Sequence, residues 1–231
     1  MGNQRFWEQD KWNWRIFWGL MLLEFIGVVV IVKIYIQPVY KELLGSSLYG
    51  GMLVGPTIAI LLLTALYLWG IKGKGGWGEA GVRAFQSSEW KRMVLWGIVL
   101  MVAGTILIFL TAQIGNDVDN AKTDSLKESM SGINIILALL SAAVLSPLYE
   151  EIFYRGFVYR FLRVRLGVGV GLVASALIFT AAHYPTTNAM PVNFVDGLVF
   201  AWLYEKSGSI WPGVIVHGLL NAISILAVVS F

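Results

Sequence analysis

Long, uninterrupted apolar stretches follow one another along the chain. Each is close to the length that a helix needs to cross the hydrocarbon core of a bilayer, about 20 residues. Because the apolar residues run continuously and do not alternate with a period of two, the pattern favours helices over strands. Seven membrane spans are predicted, at 16–36, 48–69, 93–114, 133–161, 168–184, 191–204 and 209–229.

The composition is typical of a chain that lives in a bilayer. Of the 231 residues, 57% are hydrophobic and 13% are charged, whereas a soluble domain carries about 25% charged residues. So few charges cannot cover so large an apolar surface in water, which excludes a soluble enzyme and a nucleic-acid-binding domain. The chain has no cysteine, which excludes disulfide bonds, thiol nucleophiles and cysteine-ligated metal sites.

The charged residues predict the orientation of the spans. Lys and Arg are concentrated in the amino-terminal segment, in the loop between the second and third spans, and after the fourth and sixth spans. Positively charged loops lie on the cytoplasmic side of a membrane protein. The amino terminus is therefore predicted to be cytoplasmic, and membrane lipid is an expected partner.

Several ionisable side chains lie inside the predicted spans, where each is costly and is a candidate for a functional site. Glu150, Glu151 and Arg155 belong to the fourth span. The two histidines of the chain, His183 and His217, fall in the fifth and seventh spans. Their position in apolar helices indicates a function.

Helical spacing predicts how the charged groups of the fourth span pair. Residues four apart lie on one face of a helix, so Arg155 can neutralise Glu151. Glu150 is rotated by about 100° from Glu151. It is therefore expected to face a histidine, a metal or a water molecule.

Two further pairs follow the same spacing. Asn221 shares a helix face with His217, and Phe179 is expected to pack beneath the imidazole of His183. At about 1.5 Å of rise per residue, four groups lie at matched depth near the middle of the bilayer and are expected to share one pocket: Glu150, His183, His217 and Asn221. Two alternatives stay open, namely interhelical hydrogen bonds worth about 0.6 kcal/mol each and a proton-coupled transporter built on the same groups.

Three ordered motifs contain these residues: Glu150-Glu151-x-x-x-Arg155, Phe179-x-x-x-His183 and His217-x-x-x-Asn221. Together they resemble the CPBP family of intramembrane metalloproteases, which includes the type II CAAX prenyl proteases (the Rce1-like class) and bacterial bacteriocin-processing and self-immunity proteins. The sequence around the motifs is similar as well, at 150–156 and 207–212. The resemblance covers about residues 133–226, whereas the first three spans are generic membrane helices.

The resemblance implies a fold and its division. We expect an all-α, polytopic membrane helical bundle of about seven transmembrane helices with a four-helix CPBP-like catalytic core. Residues 1–132 would contain the first three helices and their loops, and residues 133–231 the catalytic core. The resemblance also favours the plasma membrane of a bacterium as the location.

Roles for the site residues are implied in the same way. The catalytic set is Glu150, His183, His217 and Asn221, and the supporting set is Glu151, Arg155 and Phe179. Glu150 and His183 resemble a pair that activates water. His217 and Asn221 resemble groups that bind a metal or stabilise an oxyanion.

A metal is the cofactor that the resemblance implies, and no organic cofactor is expected. Glu150, His183 and His217 can hold Zn²⁺ or another divalent metal with one coordination position left open. A metal-free route, in which Glu150 and His183 polarise the water directly and Asn221 donates to the oxyanion, is equally consistent with the sequence.

The predicted function is an intramembrane peptidase, which hydrolyses a peptide bond of a membrane-associated peptide or a lipidated protein. No nucleic-acid partner is expected. The alternative from a different class is a non-enzymatic bacteriocin-immunity or membrane binding protein on the same scaffold. Two acids inside the spans receive no catalytic role: Glu24, which is interpreted as a helix contact, and Asp196.

Overall fold

The computed structural model describes residues 6–113, 124, 127 and 131–230. No β-strand occurs among these residues, which confirms the all-α membrane bundle predicted from the apolar pattern. The six long helical runs in this part of the chain are α1 (Trp14–Leu44), α2 (Ser47–Ile71), α3 (Glu89–Gln113), α4 (Gly132–Ala181), α5 (Met190–Ser207) and α6 (Trp211–Ser230). All of them except α5 are long and apolar enough to cross a membrane.

Gly167 divides α4, which combines the fourth and fifth predicted spans, into two arms. This glycine has φ 81° and ψ 173°, a conformation that it adopts without the steric cost of a Cβ atom. The chain reverses there, because Tyr154 on the first arm (132–166) packs against Phe179 on the second arm (168–181), with ring centroids 5.1 Å apart. Counted by arms, these six runs give seven helical segments, which is the number that the sequence predicted.

The short helix α5 corresponds to the sixth predicted span. Pro191 lies in its first turn, where the missing N–H of proline costs no hydrogen bond. The helix ends at Ser207, and Gly208, which has φ 66°, provides the left-handed residue that commonly follows a helix. The structure therefore extends the predicted helix 191–204 to Ser207.

The first arm of α4 is the central helix of the bundle. Every residue from 149 to 162 is buried, so this stretch has no face towards lipid or water. The largest cluster of buried apolar side chains surrounds it and includes residues of α1 and α2, among them Leu20, Val28, Leu62 and Leu66. A polar residue in this stretch therefore depends on partners within the protein or on an enclosed water molecule.

Arginines at the end of the first arm bind other parts of the chain. Arg160 donates a hydrogen bond to the Phe6 carbonyl at 3.0 Å and forms an ion pair with Glu79 at 2.9 Å. Arg163 forms a bidentate ion pair with Glu205, with 3.0 Å between Nη2 and Oε1 and 3.1 Å between Nε and Oε2. These contacts connect the segments at the end of the bundle that is expected to be cytoplasmic. The orientation itself, and the division of the chain at residue 132, stay predictions.

Candidate active site

Glu151 and Arg155 form a buried ion pair on the first arm of α4. Arg155 Nη1 lies 2.9 Å from Glu151 Oε1, and both side chains are at most 2% exposed. This contact along one helix face confirms the pairing predicted from the spacing of four residues. Loss of either member would leave an uncompensated charge in the protein interior, which is strongly destabilising.

His217 of α6 lies between the two adjacent glutamates. Its Nδ1 is 3.2 Å from Glu151 Oε1, and its Nε2 is 3.9 Å from Glu150 Oε2. Because a carboxylate accepts hydrogen bonds, the Nδ1–H donates to Glu151, and in the neutral form of the imidazole Nε2 presents its lone pair towards Glu150. Two acceptors then face each other across a gap that a water molecule or a cation can bridge.

Aromatic rings surround His217 and the ion pair. Phe200 stacks on the imidazole of His217, with centroids 4.8 Å apart and an angle of 19° between the planes. The guanidinium carbon of Arg155 lies 4.2 Å from the centre of the Phe179 ring. Rings over the charges exclude water, which strengthens the electrostatic interactions inside the site. Phe200 was not among the predicted site residues, because no spacing relative to the motifs distinguishes it from the other aromatic residues.

His183 lies just beyond the end of α4, next to Phe179. Its Nδ1 is hydrogen-bonded to the Phe179 carbonyl oxygen at 2.8 Å, and the two rings meet at 4.6 Å with an angle of 64°. The predicted contact between Phe179 and this imidazole is confirmed. Phe179 also meets His217 edge-on, at 6.3 Å between centroids, so one ring connects the two histidines.

Asn221 is bonded to the backbone of α4. Its Nδ2 donates to the Ala142 carbonyl oxygen at 2.8 Å, which is a hydrogen bond between two helices. The oxyanion role expected for Asn221 stays a prediction. The predicted site residues thus occupy three places: the cluster Glu150, Glu151, Arg155 and His217, the adjoining pair Phe179 and His183, and Asn221.

Two glycines of α6 let this helix approach the first arm of α4. A Cβ atom added to Gly213 would lie 2.6 Å from Glu151 Oε2, and one added to Gly218 would collide with the Ala143 carbonyl oxygen. Small residues allow such close approach between membrane helices. They bring His217 within reach of both glutamates, although no periodic pattern in the sequence singles them out.

Two acids without an assigned role adjoin the site. Asp196 of α5 interacts electrostatically with His217 and Arg155. Glu24 of α1 is 1% exposed, and its Oε1 accepts a hydrogen bond from the Tyr154 hydroxyl at 2.8 Å. Spacing along the motif helices could not predict either contact, because both acids lie on other helices.

The predicted metal ligands do not form a three-ligand group. Among the residues that the structure describes, no set of three or more His, Cys, Asp or Glu side chains is arranged to hold a metal ion. Glu150 Oε2 and His217 Nε2 face one point, whereas catalytic zinc takes three protein ligands. The binding of Zn²⁺ stays a prediction.

Comparisons with known proteins identify the part of the chain that contains this cluster. Residues 132–223 match the model of a family described as type II CAAX prenyl endopeptidase Rce1-like. An uncharacterized 24.3 kDa protein of Escherichia coli is 31% identical over 88 residues, which are 36% of this chain and 41% of that protein, so less than half of this relative is covered. No solved structure matches the chain. The segment 132–223, which contains the three motifs, is therefore similar to the Rce1-like family of type II CAAX prenyl endopeptidases.

Proposed function

We propose that the protein is a membrane-embedded CAAX-type endopeptidase, which hydrolyses a peptide bond with water activated at Glu150. One observation carries the proposal. Glu150 Oε2 is buried, has no hydrogen-bond partner in the described part of the chain, and faces His217 Nε2 at 3.9 Å. Seven buried side-chain N or O atoms of the described residues lack such a partner, and Glu150 Oε2 is the one that faces His217 Nε2. A buried polar atom in this position is explained by a water molecule or a chemical role. The family of the segment 132–223 supports a protease.

Glu150 is the proposed general base. A water molecule between Glu150 and His217 can donate one hydrogen bond to each of these acceptors. As the water oxygen attacks the peptide carbonyl, its proton passes to Glu150, and His183 is proposed to help polarise the water. The proton then moves to the leaving amine, so the peptide bond breaks and the carboxylate is restored.

Glu151 supports His217 in this scheme. The hydrogen bond from Nδ1 to Glu151 Oε1 fixes the tautomer and the plane of the imidazole. After the attack, the proton held by Glu150 can pass to Nε2, where Glu151 stabilises the imidazolium and the Nε2–H donates to the oxyanion of the tetrahedral intermediate before the proton moves on to the leaving amine. Asn221 is the second proposed donor to this oxyanion.

The proposed substrate is a membrane-associated peptide or a lipidated protein. A site inside a membrane helical bundle meets peptides that are anchored in the bilayer or lie on its surface. The description of the family names prenylated CAAX sequences, which makes a prenylated carboxyl-terminal peptide the first substrate to test. The proposed location is the plasma membrane of a bacterium, with the amino terminus in the cytoplasm, which the excess of Lys and Arg on alternate loops supports.

Hydrolysis by the purified protein in lipid nanodiscs tests the proposal. The probe is an internally quenched, farnesylated peptide that ends in a CAAX sequence, and the same peptide without the farnesyl group measures the need for a lipid. Mass spectrometry locates the cleaved bond. Cleavage that Glu150→Ala abolishes would support the proposal. Absence of cleavage, or cleavage by Glu150→Ala at the rate of the unaltered protein, would overturn it.

A further inference from the structure

Two ionisable residues of α1, Glu24 and Lys33, face the site although α1 lies outside the matched range 132–223. They are nine residues apart, and this spacing is about two and a half turns of an α-helix, which would place them on opposite faces. Within Leu23–Ile36, however, α1 forms i→i+5 hydrogen bonds. Each turn then contains more residues, and nine residues complete about two turns. Both side chains therefore lie on the same side of α1.

Glu24 reaches His183 through two aromatic residues. The Tyr154 hydroxyl donates to Glu24 Oε1 at 2.8 Å, and the Tyr154 ring packs edge-on against Phe179, with centroids 5.1 Å apart. Phe179 in turn packs on the His183 ring and accepts the hydrogen bond of its Nδ1. A displaced Tyr154 would therefore move the residue that holds the imidazole.

Lys33 reaches the same histidine along the backbone. Its Nζ donates a hydrogen bond to the Ala182 carbonyl oxygen, which belongs to the peptide group that joins Ala182 to His183. The helix α4 ends at Ala181. The N–H groups of Ala182 and His183 still donate to carbonyl oxygens of its last turn, and Lys33 binds the carbonyl oxygen that lies between them. Lys33 supplies a restraint there from the neighbouring helix.

We infer that Glu24 and Lys33 are positioning residues for His183, so that the active site extends to α1. Charged groups inside membrane helices are costly and mark functional contacts. Here two such groups on one side of α1 act on the surroundings of the His183 imidazole. Glu24 acts through the rings of Tyr154 and Phe179, and Lys33 acts through the peptide group that precedes His183. The inference rests on the role of His183 in the proposed function, whereas its test needs no substrate.

The two histidines make the inference measurable by nuclear magnetic resonance in nanodiscs. Labelling histidine with ¹³C and ¹⁵N yields separate imidazole signals for His183 and His217, and the variant His183→Gln assigns them. Tyr154→Phe removes one buried hydroxyl from α4 and keeps the ring. Tyr159→Phe is the matched control, because it removes another hydroxyl of α4, which donates to Glu205 at the same distance of 2.8 Å.

We expect the variants to shift the imidazole signals of His183 selectively. Tyr154→Phe and Lys33→Met should each shift the His183 imidazole signals more than those of His217, and Tyr159→Phe should leave both unchanged. Unshifted His183 signals in Tyr154→Phe and Lys33→Met would overturn the inference. Equal shifts of both histidines, including in the control, would overturn it as well, because they indicate a general loss of structure.

Substitutions of Glu24 distinguish a hydrogen-bond acceptor from general packing. Glu24→Leu should shift the His183 signals as Tyr154→Phe does, and the double variant should add little, because both changes remove one hydrogen bond. Glu24→Gln keeps an acceptor oxygen and should shift them less. In the hydrolysis assay, Glu24→Leu should lower kcat and leave KM near its normal value. The His183 signals are recorded without substrate. A result that contradicts the positioning role of Glu24 and Lys33 can therefore be distinguished from a result that contradicts peptide hydrolysis.

Discussion

Glu151 accepts a hydrogen bond from His217 across 66 residues of sequence, with 3.2 Å between Oε1 and Nδ1. The same carboxylate oxygen lies 2.9 Å from Arg155 Nη1. One oxygen therefore orients the histidine and neutralises the arginine, which couples the geometry of the site to the stability of the bundle. The neighbouring Glu150 presents an oxygen that no described residue hydrogen-bonds. The two adjacent acids should consequently respond differently to substitution.

Glu151→Gln should lower both stability and activity. The substitution leaves the charge of Arg155 uncompensated at 2% exposure, and breaking a buried pair in this way costs about 3–5 kcal/mol of unfolding free energy. Thermal unfolding in detergent measures the loss. The double variant Glu151→Gln with Arg155→Met is the control, since removal of both charges should recover stability without recovering hydrolysis. An unchanged unfolding temperature for Glu151→Gln would contradict the importance of the ion pair.

Glu150→Gln should remove activity and preserve stability. Loss of a general base slows catalysis by about 10²–10⁴-fold, whereas the oxygen that is replaced receives no hydrogen bond from the described residues. Glu205→Gln is the matched control, because it removes the partly buried ion pair of Glu205 with Arg163 outside the site. It should lower the unfolding temperature and keep kcat near normal. Initial rates at a temperature where both variants are folded measure the difference, and equal losses of turnover would argue against a chemical role for Glu150.

The helix pattern could be predicted from the sequence because it depends on local hydrophobicity. The spans predicted at 133–161 and 168–184 lie on either side of Gly167, where the structure reverses the chain. The pair of Glu151 and Arg155 was predictable for a related reason. Both residues lie on one helix, so their separation follows from the helical pitch.

For contacts between helices, the sequence predicted only that the polar groups lie at a similar depth in the bilayer. Spacing along each helix does not determine how far the helix rotates towards its neighbour, so the hydrogen bond from His217 to Glu151 and the stacking of Phe200 could not be derived. The contact of Glu24 with Tyr154 was even harder to predict from the sequence. It depends on the i→i+5 hydrogen bonds of α1, and a continuous apolar stretch is compatible with either helical pitch.

Gly213→Ala should reduce turnover by displacing Glu151. The added Cβ atom would lie 2.6 Å from Oε2, which is too close for two non-bonded atoms, so the carboxylate must leave its present position between His217 and Arg155. Gly97→Ala is the control, because its Cβ would lie 3.9 Å from Val216 in ordinary van der Waals contact. Alanine in a helix interior is favoured over glycine by about 1 kcal/mol, so the control should fold at least as well as the unaltered protein. Turnover assays should show a loss in the first variant only, and a normal rate for Gly213→Ala would contradict the need for this close approach.

Gly167→Ala should destabilise the reversal that brings His183 to the site. The backbone there has φ 81° and ψ 173°, a conformation that costs a residue with a Cβ atom about 1–3 kcal/mol. Gly169→Ala is the matched control. At both glycines an added Cβ would meet no atom of the described residues within 4 Å, so the two variants differ in backbone conformation and not in space.

Thermal unfolding and hydrolysis, measured side by side, separate these two variants. Gly167→Ala should lower the unfolding temperature, and it should lower kcat as well because the second arm carries Phe179, which holds the His183 imidazole. Gly169→Ala should be neutral or stabilising, since alanine replaces glycine within a helix. Equal unfolding temperatures in the two variants would show that residue 167 is not held at positive φ, and the antiparallel arrangement of the two arms would then lose its structural basis.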